Sequence, residues 1–230
     1  SELSDQQSAI FHERWVVGYG HSSVAEHAVL HIAVENISRL AVECLESNRL
    51  ASYTEKSSRY QIWDEDHFFT PSEVRNTAVE KQYIDTCKYL FNNYLEAVRT
   101  TTEYFSKIMP KEAGESDRGY FYRINACSAD VCRYYLPASS LANVGVSINA
   151  RALEHAIRKM LSHPLREVNK IGEEVKKVSL ENVPTLVKHA DKNKYLTQFE
   201  QMTTTLFGTC VDNNISDHNY MLNLASPDYA

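Results

Sequence analysis

Residues 47–60, reading SNRLASYTEKSSRY, concentrate groups suited to gripping an anion. With the second half extended, Glu55, Ser57 and Arg59 fall on one face at period two, while Lys56, Ser58 and Tyr60 face the other way. That face offers an acceptor, a hydroxyl and a planar cation. A guanidinium forks onto phosphate oxygens, a hydroxyl donates to a phosphate or sugar oxygen, and a carboxylate accepts from a ribose hydroxyl or a ring N–H. The same residues also suit a solvated strand edge of mixed charge, so the stretch alone leaves a nucleotide site and a plain edge both open.

Three further clusters carry chemistry. Gly20-His21-Ser22-Ser23-Val24-Ala25-Glu26-His27 places imidazoles and a carboxylate around a turn and a helix start. Arg133 lies just before Leu136-Pro137, and eleven residues after that proline come Asn149-Ala150-Arg151. Ser162-His163 and Glu167 follow. Each has an ordinary reading as well: a turn histidine, a helix C-terminal charge, a cap and a surface arginine.

The elements that must position these groups can be outlined. Residues 5–17 are expected as a short amphipathic helix (Ile10, Phe11, Trp15), followed by a turn at Gly18-Tyr19-Gly20-His21. Ser23 and Glu26 read as a capping box opening a long helix to about Leu45. After the segment around residue 55 and an aromatic run, Pro71 opens a second long helix to about Ile108. A helix over Tyr120–Tyr135, a strand over Ala142–Ile148, a helix capped by Asn149, a break at His163-Pro164 and a resumed helix over 165–178 complete the outline. The last ten residues are expected to be loosely held. The fold class is α+β, a modest sheet packed by several long helices.

Composition bounds the function. The 230 residues make one domain, 1–230, with room for a substantial core, and the opening Ser1 leaves open a trimmed chain or one half of a tandem protein. A net charge of −6 argues against a protein that wraps nucleic acid, although a local arginine cluster can still hold a nucleotide-sized anion. With seven glycines and no glycine-rich phosphate loop, neither a Rossmann nor a P-loop cradle is expected. Five cysteines (Cys44, Cys87, Cys127, Cys132, Cys210) are odd in number and widely spread, which reads as reduced thiols in a cytoplasmic protein with no metal site. No run approaches the roughly 18 apolar residues of a membrane span, and the start is too polar for a signal peptide.

Residues 47–60 also resemble the signature of the flavin-dependent thymidylate synthases, the thymidylate synthase complementing protein family. Arg49, Ser52, Glu55, Ser57, Arg59 and Tyr60 match it, whereas Ser47 and Asn48 stand where the family has Arg and His. The segment 20–27, the Arg133–Pro137 and Asn149–Arg151 elements, and Ser162-His163 with Glu167 resemble further family elements in the family's order, over roughly residues 20–170.

The resemblance implies that a methylene group passes from methylenetetrahydrofolate to dUMP, with FAD reduced by NADPH supplying the hydride and no cysteine nucleophile. It implies that Glu55, Ser57, Arg59 and Arg133 contact dUMP, and that His21, Ser23, Glu26, Arg49, Asn149, Arg151 and His155 contact FAD. The family's homotetramer places these two groups in different chains. It also implies a second helix arginine at the position counted here as Met160, with Lys159 and Arg158 close by, so no catalytic residue is assigned. Losing the Arg and His replaced by Ser47 and Asn48 costs roughly 3–6 kcal/mol at 1.5–3 per charge-assisted contact. Three readings stay open: a thymidylate synthase, completed by a homo-oligomer or by pairing with a homologous domain; a non-catalytic flavin- or nucleotide-binding homologue; and an enzyme methylating another pyrimidine nucleotide.

Overall fold

The computed structural model describes residues 5–18 and 22–208. Three antiparallel strands form its sheet in the order β1-β3-β2: β1 is Val29–Ser38, β2 is Ala51–Glu55 and β3 is Leu141–Asn149. Cross-strand rows fix which side is core. Leu30, Ile148 and Ala51 align, as do Ile32, Val146 and Tyr53, and then Val34, Val144 and Glu55. The alternate rows, His31–Ser147–Ser52 and Ala33–Gly145–Thr54, face outward.

Helices cover the inner face. α2 (Arg39–Glu46) contributes Ala41, Val42 and Leu45, α5 (Ala150–Ser162) contributes Leu153, Ala156, Ile157 and Met160, and α6 (Arg166–Asn182) contributes Val168, Ile171 and Val175. A second cluster lies where α3 (Glu80–Ile108) meets α4 (Asp117–Cys132), built on Trp63, Phe91, Tyr94, Val98 and Cys132. Short α1 (Asp5–His12) and α7 (Pro184–Val187), and α8 (Lys194–Gly208), complete the α-helices among the described residues.

Several expectations hold. β3 matches the expected strand with one residue more at each end, and Asn149 caps α5 by accepting from the Ala152 N–H at 2.9 Å. The break at His163-Pro164 separates α5 from α6 as expected. The turn expected at 18–21 lies mostly outside the described residues, as does the end of the tail.

Three local expectations fail. In place of one helix over 23–45 there is a 3-10 turn at Ser22–His27, then β1, then α2. Leu30, Val34 and Ile37 fit a helical spacing, but ladder pairing with β3 and the β-branched Ile32, Val34 and Ile37 favour the sheet. Asn36, at φ 57°, occupies the bulge between Val34 and Ile37, its N–H donating to Asn143 Oδ1 at 2.8 Å. The helix expected from Pro71 begins instead at Glu80, because Asn76 turns left-handed at φ 60° and Glu80 Oε2 accepts from its N–H. The strand carrying Glu55 stops there; Ser57 Oγ accepts from the Arg59 N–H at 3.2 Å and bends the chain away from the ladder, so Ser57 and Arg59 do not continue its alternation.

Candidate functional site

The amphipathic pattern of α5 builds the principal site. Its buried face enters the sheet core, leaving Arg151, His155 and Lys159 at successive turns of the opposite face. The hairpin between α2 and β2 brings Ser47, Asn48, Arg49 and Leu50 opposite that stripe, and the 3-10 turn supplies Glu26. Together with Asn149 and Ala152 they line a cavity of about 710 Å³.

Charge in this cavity reverses that of the whole chain. Arg49, Arg151 and Lys159 face one carboxylate, Glu26, which ion-pairs with Arg151. Lys159 Nζ donates to Ser47 Oγ at 2.9 Å, and Ser47 Oγ in turn donates to the Cys44 carbonyl at 2.7 Å. Arg49 has no hydrogen bond or ion pair to its guanidinium among the described residues, so it is available to a ligand. Asn48 is buried, and its Nδ2 donates to the Leu45 carbonyl at 2.8 Å, whereas Oδ1 has no partner among the described residues. An unpaired buried acceptor beside a cationic cavity suits a hydroxyl or N–H of a bound molecule.

Of the seven residues expected around a flavin, the cavity gathers Glu26, Arg49, Asn149, Arg151 and His155. Ser23 is exposed in the 3-10 turn and does not line it, and His21 lies outside the described residues. Met160 does not line this cavity either. Its side chain is 2% exposed and packs into the core, while Lys159 faces the cavity and Arg158 ion-pairs with Glu154 at 2.8 Å.

The four residues expected around dUMP lie elsewhere, and none of them lines the 710 Å³ cavity. Glu55 ends the Val34–Val144 row and is bound by Arg39, whose guanidinium also donates to Glu43 at 2.8 Å. The hydrogen bond to Glu55 holds the Arg39 guanidinium above its ordinary value, with burial opposing. Nearby, burial and then the Glu55 charge push the Glu46 carboxyl up. Arg59 and Arg133 converge on one carboxylate: Nε of Arg59 is 3.5 Å and Nε of Arg133 3.1 Å from Asp130 Oδ1. The Arg133 N–H is misaligned for a hydrogen bond, so this buried donor has none among the described residues. Ser57 remains in the turn beside Arg59.

Sequence reasoning missed Asp130, Arg39 and the outward placement of Lys159. Asp130 was legible as the acid three residues before Arg133 on one helix face. The Arg39–Glu55 contact joins α2 to β2 and leaves no local pattern. Among the described residues no group of three or more His, Cys, Asp or Glu is placed to hold a metal, and no helix is long and apolar enough to cross a membrane.

A small antiparallel sheet packed by long helices, with polar clusters at its edges, is the fold of the flavin-dependent thymidylate synthases. The Helicobacter pylori enzyme, solved with FAD and dUMP, superposes at a TM-score of 0.53 with 20% identity, covering 82% of this chain and 87% of that one. A UMP/dUMP methylase, PolB from Streptomyces cacaoi, solved with 5-Br UMP, gives 0.55 with 17% identity over 81% and 83%.

The chain belongs to the thymidylate synthase complementing protein family, whose sequence profile matches residues 1–185. A UPF0159 protein of Chlamydia muridarum is 32% identical over 200 residues, covering 84% of this chain and 38% of that relative. The chain thus spans well under half the length of this curated relative.

Proposed function

We propose that this chain is a flavin-dependent pyrimidine nucleotide methylase, forming dTMP from dUMP with methylenetetrahydrofolate as carbon donor and NADPH as reductant, in the cytoplasm. The observation that carries the reading is the cationic 710 Å³ cavity, in which family positions Arg49, Asn149, Arg151 and His155 converge although the chain as a whole is acidic.

The charge of this cavity suits FAD. Arg49, Arg151 and Lys159 would hold its diphosphate, and Asn48 Oδ1 would accept from one of its hydroxyl or N–H groups. When bound, the flavin supplies the hydride that completes the methyl group. Arg59 and Arg133 would hold the nucleotide phosphate in the place Asp130 now takes, with the unsatisfied Arg133 N–H as a ready donor. Glu55, ion-paired with Arg39, would orient a ribose hydroxyl or ring N–H. Guanidinium charge near the pyrimidine edge favours its nucleophilic form without any cysteine adduct.

The two residue groups occupy separate parts of one chain, which supports a site closed by a second copy, as in a tetramer, or by a homologous domain. A second reading is favoured by Ser47 and Asn48, which supply neither charge at the two positions where the family carries Arg and His. On that reading the chain binds flavin or nucleotide and completes a partner's site without turning over.

Titration of the purified chain with FAD, followed by its visible absorbance, and then with dUMP separates these outcomes. Flavin uptake perturbed by dUMP, with labelled methylene transfer, supports the enzyme; uptake without transfer supports the second reading. No uptake by wild type overturns an autonomous flavin enzyme, and uptake unchanged in Arg49→Ala overturns the assignment of this cavity, since losing one charge-assisted contact weakens binding about tenfold or more.

A further inference from the structure

A second cavity, of about 360 Å³, shares Ser47 and Lys159 with the first and lies on the other side of their hydrogen bond. In its wall Cys44 Sγ lies 3.4 Å from His163 Nε2. The sequence offers no hint of this pair, whose members are 119 positions apart.

The loop that ends α5 sets the imidazole's role. Asn169 Nδ2 donates to both the Met160 and His163 carbonyls at 2.8 Å, fixing the backbone that carries the ring. The Leu165 N–H donates to His163 Nδ1 at 3.2 Å, so Nδ1 is an acceptor and the neutral ring carries its proton on Nε2. That N–H is aimed at the Cys44 sulfur. A donor held on sulfur favours the thiolate over the thiol, and the thiolate is the nucleophile.

The charges around the sulfur are also arranged. Lys159 lines the same cavity, and Glu43, the acid beside it, is held by Arg39 at 2.8 Å. Cys44 lies in the last turn of α2, whose dipole opposes an anion, but that influence is diffuse beside a donor in direct contact. Leu196 and Phe199 give the cavity an apolar wall.

We propose that the Cys44–His163 pair is a thiol modification site, taking small carbon electrophiles that enter the 360 Å³ cavity. Cys44 loses its proton to solvent. The sulfur electron pair forms the S–C bond as the bond from that carbon to its leaving group breaks, and the leaving group departs with the bonding pair. The imidazole proton stays on Nε2 throughout. No redox partner takes part, and the proposal stands whether or not the larger cavity takes a flavin. The adduct would sit against Lys159 and Ser47, the partition between the two cavities.

Cys127 is an internal reference, because it is also half-buried and forms no disulfide. The folded protein is treated with limiting iodoacetamide, and labelling of each cysteine is followed by peptide mass spectrometry. Cys44 is expected to label about tenfold faster than Cys127. His163→Leu removes the donor and should bring Cys44 down to the Cys127 rate, whereas His163→Gln keeps an N–H donor and should retain much of the advantage. An unchanged Cys127 rate and melting temperature show that each variant is folded; if His163→Leu fails that check, the wild-type ratio and His163→Gln decide. Equal labelling of Cys44 and Cys127 in the wild type, or Cys44 labelling that survives His163→Leu in folded protein, overturns the proposal.

Discussion

Lys159 and Met160 are neighbours in the chain, about 100° apart around α5, so that of the two only Lys159 reaches the cationic cavity. Lys159 Nζ bonds Ser47 Oγ in the wall of the cationic cavity, and Met160 is sealed into the core beside Gly172. The family resemblance counts Met160 at an arginine position, but the helix presents Lys159 to the cationic cavity instead. Met160→Arg is therefore expected to wreck the core, placing an unpaired charge among Leu153, Ile157 and Val168 at a loss of about 3–5 kcal/mol. Lys159→Arg should melt like wild type. Denaturant titration of both variants checks this; a Met160→Arg protein of wild-type stability would mean that the arginine escapes through the 360 Å³ cavity, which Met160 also lines.

The close approach of α5 and α6 at the same place gives a second expectation. A Cβ on Gly172 would stand 2.9 Å from Met160 Cβ and 3.2 Å from the Leu161 nitrogen. Alanine gains about 0.5–1 kcal/mol of helix preference over glycine. Overpacking against backbone costs about 1–3 kcal/mol, so Gly172→Ala is expected to destabilise by roughly 1–2 on balance. A variant more stable than wild type in urea would show that the helices separate freely here.

Arg151 and His155 were named by family resemblance, and the helix puts them on one face beside the cavity. The cap at Asn149, a local pattern, was legible. β1 was not, since its apolar residues satisfy both periods and only pairing with β3, more than a hundred residues away, decides between them. Ser57 and Arg59 were placed on a strand by alternation alone, and a side-chain hydrogen bond inside the turn overrules that. The Cys44–His163 and Arg39–Glu55 contacts depend on tertiary placement, which leaves no trace in spacing.

Acid should loosen the α3–α4 hairpin. Arg123 Nη2 and Nε donate to both Glu115 carboxylate oxygens at 2.8 and 2.9 Å, and the Glu112 N–H adds a third bond. These contacts, the Arg123 hydrogen bond foremost, lower the Glu115 carboxyl from 4.5 to about 2. A depressed carboxyl stabilises the fold at pH above its unfolded value and loses that contribution as pH falls from about 4.5 toward about 2. Glu115→Gln should abolish this component, leaving a shallower loss of stability across that window. Parallel urea midpoints for the two proteins measure it, and identical acid profiles would rule the pair out as a pH-dependent tie.

Asp130 gives the sharpest test of the proposed nucleotide-phosphate site. Its carboxylate faces both Arg59 and Arg133, yet at 3.5 and 3.1 Å and without an aligned Arg133 donor it is a poor match for either. Asp130 is half exposed, so its ion pairs contribute less than about 1 kcal/mol to stability. If a phosphate takes its place, Asp130 repels that phosphate, and Asp130→Asn should tighten dUMP binding several-fold while leaving the melting temperature within about a degree or two. The gain should shrink with added salt, because the repulsion acts between partly exposed charges. Calorimetric titration with dUMP and with deoxyuridine, which lacks the phosphate, reads the difference: tightening for dUMP alone is expected. Weaker dUMP binding in Asp130→Asn would show that Asp130 holds the arginines in their binding pose, and equal gains for deoxyuridine would place the phosphate away from Arg59 and Arg133.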